Sequence, residues 1–173
     1  MIKNRLTLIT GGARSGKSRF ALTLAAPYDR RVFIATAQVL DAEMADRIRR
    51  HQEERKDRFT TMEEPLDLAG AVRRIPEKTG VAVIDCMTVW LGNLMHHQRI
   101  ESEDAPSIAA FLDAISRPLC DVVIVTNEVG SGLVPPDAMS RRFRDIAGYL
   151  NRKIAHAADE VYLIACGLPL KLK

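Results

Sequence analysis

Short apolar runs and amphipathic stretches alternate along the whole chain. The runs at 5–10, 31–36, 81–85, 120–126 and 160–165 are nearly continuous in apolar residues, which is how strands covered on both faces read. A weaker run at 58–62 adds a strand, and Pro169–Lys173 adds an edge strand. Between them, helical patterns occupy 17–26, 41–56, 66–75, 87–97, 106–116 and 137–157. This order predicts an α/β fold, a mainly parallel central sheet with helices on both faces. Gln98–Pro106 reads as a polar surface loop. Asn127–Pro136, with Gly130, Gly132, Pro135 and Pro136, is a second loop that follows a strand. Ligands of open α/β sheets bind at that carboxyl edge. No repeat, low-complexity tract or linker interrupts the pattern, so 1–173 is expected to form a single domain.

Composition narrows the function classes. Hydrophobic residues make up 47% and charged residues 27%, an ordinary globular balance. A net charge of +3 with 5% aromatics argues against a nucleic-acid motor, which needs a basic groove with stacking rings. No run is long enough to cross a bilayer, and Met1–Arg5 leads into the first strand without a cleavable apolar stretch. No membrane insertion and a cytoplasmic location are therefore expected. Cys86, Cys120 and Cys166 lack C-x-x-C spacing and are expected to be reduced core residues.

The first strand runs straight into Gly11-Gly12-Ala13-Arg14-Ser15-Gly16-Lys17-Ser18, which spells G-x-x-x-x-G-K-S and opens a helix. Strand, glycine loop and helix in that order make a phosphate-binding loop. Gly11 and Gly16 let the backbone curl so that N–H groups point at phosphate oxygens. The helix N-terminus adds partial positive charge. Lys17 is placed to reach the β- and γ-phosphates, and the Ser18 hydroxyl to ligate Mg²⁺. Val81-Ala82-Val83-Ile84-Asp85 is an apolar strand ending in a carboxylate, the second Mg²⁺ residue of such sites. By itself Asp85 also reads as a cap for the helix beginning near Met87. Asn127-Glu128-Val129-Gly130 lacks the Lys and Asp of the guanine-reading N-K-x-D loop, so a switch GTPase is disfavoured while ATP and GTP both fit.

In the stretch 41–56, Asp41 is a suitable N-cap and Glu43 favours the first turn. Met44, Ile48 and His51 recur at i, i+4 and i+7 and share one face. His51 has two readings: it ends a buried stripe, or it is a nucleophile. Arg47, Arg49, Arg50 and Arg55 flank it. Nearby cations lower an imidazole pKa and favour the neutral form at pH 7, and the same arginines suit a polyphosphate. Such an imidazole can attack phosphorus and hold a phosphoramidate. A solvated arginine-rich face fits the same residues.

Together these segments resemble the bifunctional adenosylcobinamide kinase/adenosylcobinamide-phosphate guanylyltransferases of cobalamin biosynthesis. The resemblance rests on T-G-G-A-R-S-G-K-S at 10–18, I-A-T-A-Q at 34–38 and D-A-E-M-A-D-R-I-R-R-H at 41–51. It continues through T-N-E-V-G-S-G-L-V-P at 126–135, R-R-F-R-D-I-A-G-Y-L-N at 141–151 and A-A-D-E-V at 157–161, covering almost the whole chain. It implies a RecA-like P-loop fold and a homotrimer. It also implies two reactions. One phosphorylates the aminopropanol hydroxyl of adenosylcobinamide with GTP or ATP and Mg²⁺. The other transfers GMP from GTP to adenosylcobinamide phosphate through a guanylylated histidine, releasing pyrophosphate. The position matching that histidine is His51. By the same resemblance the nucleotide is contacted by the glycine loop, Ala35, Thr36, Ala37, Gln52, Glu53, Glu54, Arg55, Glu63 and Asp85. The strand-end acid, often Glu in the family, is Asp85 here and one methylene shorter; 87–93 matches the family only loosely. Asn127, Glu128 and the loop to Pro136 are corrinoid candidates by position alone. A kinase of another small hydroxylated metabolite and a RecA-like ATPase are the rival readings.

Overall fold

The computed structural model describes residues 4–38, 45, 46, 49, 52, 53 and 58–173. Its elements run β1 (Leu6–Gly11), α1 (Lys17–Ala25), β2 (Arg31–Ala35), β3 (Thr60–Glu63), α2 (Leu68–Arg73), β4 (Val81–Asp85), α3 (Met87–His97), α4 (Pro106–Ser116), β5 (Asp121–Val125), α5 (Ala138–Ala157), β6 (Glu160–Ala165) and β7 (Leu168–Lys171). Each matches a segment expected from the hydrophobic pattern to within about two residues. The expected helix 41–56 falls mostly outside the described residues.

The strands form one sheet in the order β3-β2-β4-β5-β1-β6-β7. Strands β1 to β6 pair in parallel, and β7 pairs antiparallel with β6. Alternation along each strand sends side chains to two cores. Leu6, Leu8, Val32, Ile34, Ala82, Ile84, Val122 and Ile124 face α2, α3, α4 and α5. Ile9, Phe33, Val81, Val83, Val123, Val125 and Ile164 face α1 through Ala21 and Ala25. Trp90 and Phe111, both fully buried, pack at 5.1 Å between centroids and fill the first core. Trp90 keeps its indole N–H satisfied on the carbonyl of Leu66, 2.8 Å away.

Local chemistry sets the element ends. Asp67 accepts from the N–H of Gly70 and Asp137 from that of Ser140, capping α2 and α5 at 2.8 Å. Cys166 (φ 51°) and Gly167 (φ 82°) make the two-residue turn between β6 and β7, and positive φ at both positions is what a type I′ hairpin needs. Cys166 is consequently exposed, which corrects the expectation that all three cysteines are core residues. Cys120 is buried and Cys86 half-buried, and none of the three is in a disulfide. No described helix is long and apolar enough to cross a membrane.

Candidate active site

Parallel register brings distant segments level at the carboxyl edge. Glu63 pairs with Ala35, Ala35 with Asp85, Asp85 with Val125 and Val125 with Ile9. One row therefore crosses five strands, and the glycine loop starts two residues above it on β1. With about 4.8 Å between strands, Asp85 lies roughly 10 Å from Ile9 across the sheet. Asp85 shares its strand face with Val81 and Val83, which pack toward α1. Ala35 and Glu63 fall on that same face by the same alternation. The sheet thus points Asp85 and Glu63 toward the side where α1 begins.

The loop itself is tightly determined. A Cβ on Gly11 (φ 148°) would collide with the carbonyl oxygen of Ile164 on β6. Gly16 (φ 100°) is the left-handed residue that starts α1. Lys17 is buried, and its ammonium donates to the Gly12 carbonyl across the loop at 2.5 Å. Helix α1 has neither a side-chain cap nor an acid in its first turn, the two usual partners for a helix N-terminus. The hydroxyls of Thr10 and Ser15 are buried without a hydrogen-bond partner. Ser107 on α4 is in the same state, so of the three only the Ser15 hydroxyl, on the loop itself, bears on an oxygen-rich ligand there. Gly167 holds the loop from the hairpin side by donating to the Ser15 carbonyl at 3.0 Å, and Glu128 donates to the Gly11 carbonyl at 3.0 Å.

The donor set fits magnesium bound together with a nucleotide. Among the described residues no group of three or more His, Cys, Asp or Glu gathers to cage a metal. Mg²⁺ keeps its waters and takes only one or two protein oxygens beside substrate phosphates. The Ser18 hydroxyl in the first turn of α1 and the Asp85 carboxylate are hard oxygen donors of that kind. Asp85 does not supply the N-cap of α3; that position is Cys86, and no side chain caps the helix. Burial, then the Asp85 carboxylate, push the Cys86 thiol above its usual range, against the hydrogen bonds of the Thr88 side chain and the Val89 backbone.

A buried polar network, unforeseen from sequence, locks the edge. The Thr36 hydroxyl accepts from the Cys86 N–H at 2.8 Å and donates to the Cys86 carbonyl at 2.9 Å. Its N–H donates to the Asp85 carbonyl, and its own carbonyl accepts from Asn93 Nδ2 at 2.8 Å. Every polar group of Thr36 thus has a protein partner. Further along, the Asn127 amide donates to Thr88 Oγ1, and Asn151 links to Thr126 and to the Asn127 carbonyl. Thr36, Thr126, Asn127 and Asn151 fall in segments that carry the family resemblance, but the hydrogen bonds to Cys86, Thr88 and Asn93 are brought about only by the pairing of β2 with β4 and of β4 with β5.

The remaining expected positions divide. Ala13 and Arg14 are exposed on the loop, and Ala37 is partly buried beside Thr36. Glu63 is exposed, whereas its neighbour Glu64 is occupied by Arg74 and by the N–H groups of Leu66 and Asp67. Gln52 and Glu53 are helical and exposed. His51, Glu54 and Arg55 lie outside the described residues. A separate cavity of about 350 Å³ at the opposite, amino edge is lined by Arg30, Arg31, Arg58 and Phe59 and has no part in this edge.

Comparison with known proteins gives the family and the fold. Residues 7–172 match the family described as cobinamide kinase / cobinamide phosphate guanyltransferase. The chain is 42% identical to the bifunctional adenosylcobalamin biosynthesis protein CobP of Pseudomonas aeruginosa, with 96% of each chain covered. It is 37% identical to the bifunctional adenosylcobalamin biosynthesis protein CobU of Escherichia coli K12, over 97% of this chain and 99% of that one. Among solved structures, the RadB recombinase superposes with a TM-score of 0.52 at 16% identity, covering 92% of this chain and 73% of the other. An ATPase of a bacterial type III secretion system gives 0.55 at 10% identity, covering 96% and 56%. These two likenesses concern the fold alone and make it RecA-like. On the family match and the near-full-length identities, this chain belongs to the cobinamide kinase / cobinamide phosphate guanyltransferase family.

Proposed function

We propose that this chain, acting as one domain over 1–173, carries out both reactions: kinase, then guanylyltransferase. What supports the assignment of roles is the row that sets Glu63, Ala35 and Asp85 level beside the glycine loop, on the face where α1 begins. In the kinase step the substrate hydroxyl oxygen attacks Pγ of GTP or ATP, the Pγ–O bond to the β-phosphate breaks, and the nucleoside diphosphate leaves. Lys17 and the N–H groups of residues 11–18 (Gly11 to Ser18) stabilise the charge that develops on the phosphates. Ser18 and Asp85 hold Mg²⁺, which when bound neutralises phosphate charge. Thr36, with all its polar groups engaged, positions the edge rather than touching the nucleotide through its side chain.

In the second step a ring nitrogen of His51 attacks Pα of GTP and pyrophosphate leaves. An oxygen of adenosylcobinamide phosphate then attacks Pα, the N–P bond breaks, and adenosylcobinamide-GDP is released. The covalent intermediate divides one difficult displacement into two easier ones. Gln52, Glu53, Glu54, Arg55 and Glu63 are assigned to the nucleotide in this step. A cytoplasmic homotrimer is part of the same proposal and rests on the family resemblance.

The test is incubation with GTP labelled at the α-phosphate, followed by mapping of any acid-labile, base-stable adduct. A His51→Ala variant is expected to lose the adduct and GMP transfer while keeping most of its kinase activity. An adduct that survives this substitution removes His51 from its role.

A further inference from the structure

Large apolar side chains are exposed at three places among the described residues: Leu119 before β5, the β7 stripe, and the loop after β5. Two of them touch the phosphate loop through the backbone: the hairpin before β7, where Gly167 donates to Ser15, and the loop after β5, where Glu128 donates to Gly11. On β7 the apolar residues flank Lys171, which is paired with Glu160, whereas the loop after β5 carries no charge from Val129 to Pro136. Leu133 is 96% exposed and Val134 66%, and Met139 in the first turn of α5 is 71% exposed. We propose that Leu133 and Val134 form the seat for the corrin body of the cobinamide substrate. This inference rests on the function proposed above and names where the non-reacting bulk of that substrate lies.

Three observations carry it. The loop is held at both ends. At its root Glu128 donates its N–H to the Gly11 carbonyl, and the Glu128 carboxylate accepts from the Gly130 N–H at 2.6 Å. At its far end Arg141 donates to the carbonyls of Pro135 and Pro136 at 2.9 and 2.7 Å. A fixed loop that exposes a leucine and a valine gains nothing from them in the free protein; a preorganised apolar platform gains when a ligand covers it. Charge is the second observation. From Val129 to Pro136 no side chain is charged, so no fixed charge has to be desolvated when a large amide-fringed ring covers this stretch. Distance is the third. Leu133 is five residues beyond Glu128, so it lies within about 17 Å of the Gly11 carbonyl region. A large ring seated there can extend a hydroxyl-bearing arm to the glycine loop. The Asn127 amide is not part of this surface, because it is committed to Thr88 at 2.9 Å.

The experiment compares wild-type protein with a Leu133→Ser/Val134→Ser double variant and a Leu119→Ser control. Leu119 is 63% exposed and lies at the amino end of β5, the edge away from the site. Kinase assays give KM for adenosylcobinamide, KM for GTP and kcat, and sedimentation gives the mass in solution. In the double variant KM for adenosylcobinamide should rise roughly tenfold, the scale of exposing a leucine side chain. Its kcat and its KM for GTP should stay within about twofold of wild type, and Leu119→Ser should match wild type throughout. An unchanged KM for adenosylcobinamide in the double variant overturns the inference. A changed mass with unchanged KM overturns it too, because the tip is then a contact between copies. Wild-type protein that never phosphorylates adenosylcobinamide brings down the proposed function and this inference together.

Discussion

Gly11 and Ile164 meet backbone to backbone: the Ile164 carbonyl on β6 fills the space that a Cβ on Gly11 would take. The two are register partners across β1 and β6, so neither can retreat without opening the ladder. Gly11 also holds φ at 148°, outside the range other residues adopt comfortably. A Gly11→Ala variant should therefore lose about 2–3 kcal/mol of stability. It should also bind GTP more weakly, since the loop must shift to admit the methyl. Urea unfolding and equilibrium binding check both; wild-type values for both would show the contact to be slack.

Lys17 presents the opposite case, a residue whose removal should spare the fold. Its ammonium crosses the loop to the Gly12 carbonyl. In the proposed kinase step it meets phosphate charge, and loss of one such electrostatic contact costs on the order of 10²–10³ in kcat. Lys17→Ala should show that loss in steady-state kinetics with a little-changed circular dichroism spectrum. Full kinase activity in this variant would contradict the role given to the loop.

Much of this arrangement was legible in the chain because it is local. G-x-x-x-x-G-K-S carries its own turn chemistry, and five near-continuous apolar runs can hardly be packed except as buried parallel strands. Asp85 is tied to the loop only jointly with G-x-x-x-x-G-K-S, since by itself it reads equally as a helix cap. The hydrogen bonds that join Thr36 to Cys86 and Asn93, and Asn127 to Thr88, could not be read, since they span 50, 57 and 39 residues along the chain. Cys166 was misjudged for a related reason: a positive-φ turn after β6 overrides what its apolar neighbours suggest. The polar positions of an edge strand are equally silent, and the exposure of β7 follows only from its place at the end of the sheet order.

Asn93 offers a direct measure of what the buried network contributes. Its amide, on α3, donates to the carbonyls of Thr36 and Pro65 at 2.8 and 3.1 Å. An Asn93→Leu variant keeps the volume but strands both acceptors. Leaving buried polar groups unpaired costs about 1–3 kcal/mol each, so a net loss of about 2–3 kcal/mol is expected. The measurement is the shift in urea midpoint at constant m-value. A variant as stable as wild type would mean that water reaches these carbonyls freely.

The attachment of β7 should be sensitive to acid. Lys171 on β7 meets Glu160 on β6 at 2.7 Å, the Tyr162 hydroxyl donates to the same carboxylate at 3.2 Å, and Arg5 stands 3.9 Å away. The hydrogen bond from Lys171, ahead of its charge, holds the Glu160 carboxyl below its usual range. A carboxyl whose folded-state pKa is depressed adds stability above its unfolded value, about 4.3, and loses it as pH falls through the folded one. Wild-type protein should therefore melt at a higher temperature than Glu160→Gln near neutral pH, with the gap closing as the pH drops below about 4. The pair is partly exposed, so added salt should narrow the gap at neutral pH as well. A gap that stays constant from neutral pH to pH 3, or widens there, would show that the carboxylate charge does not hold β7 in place.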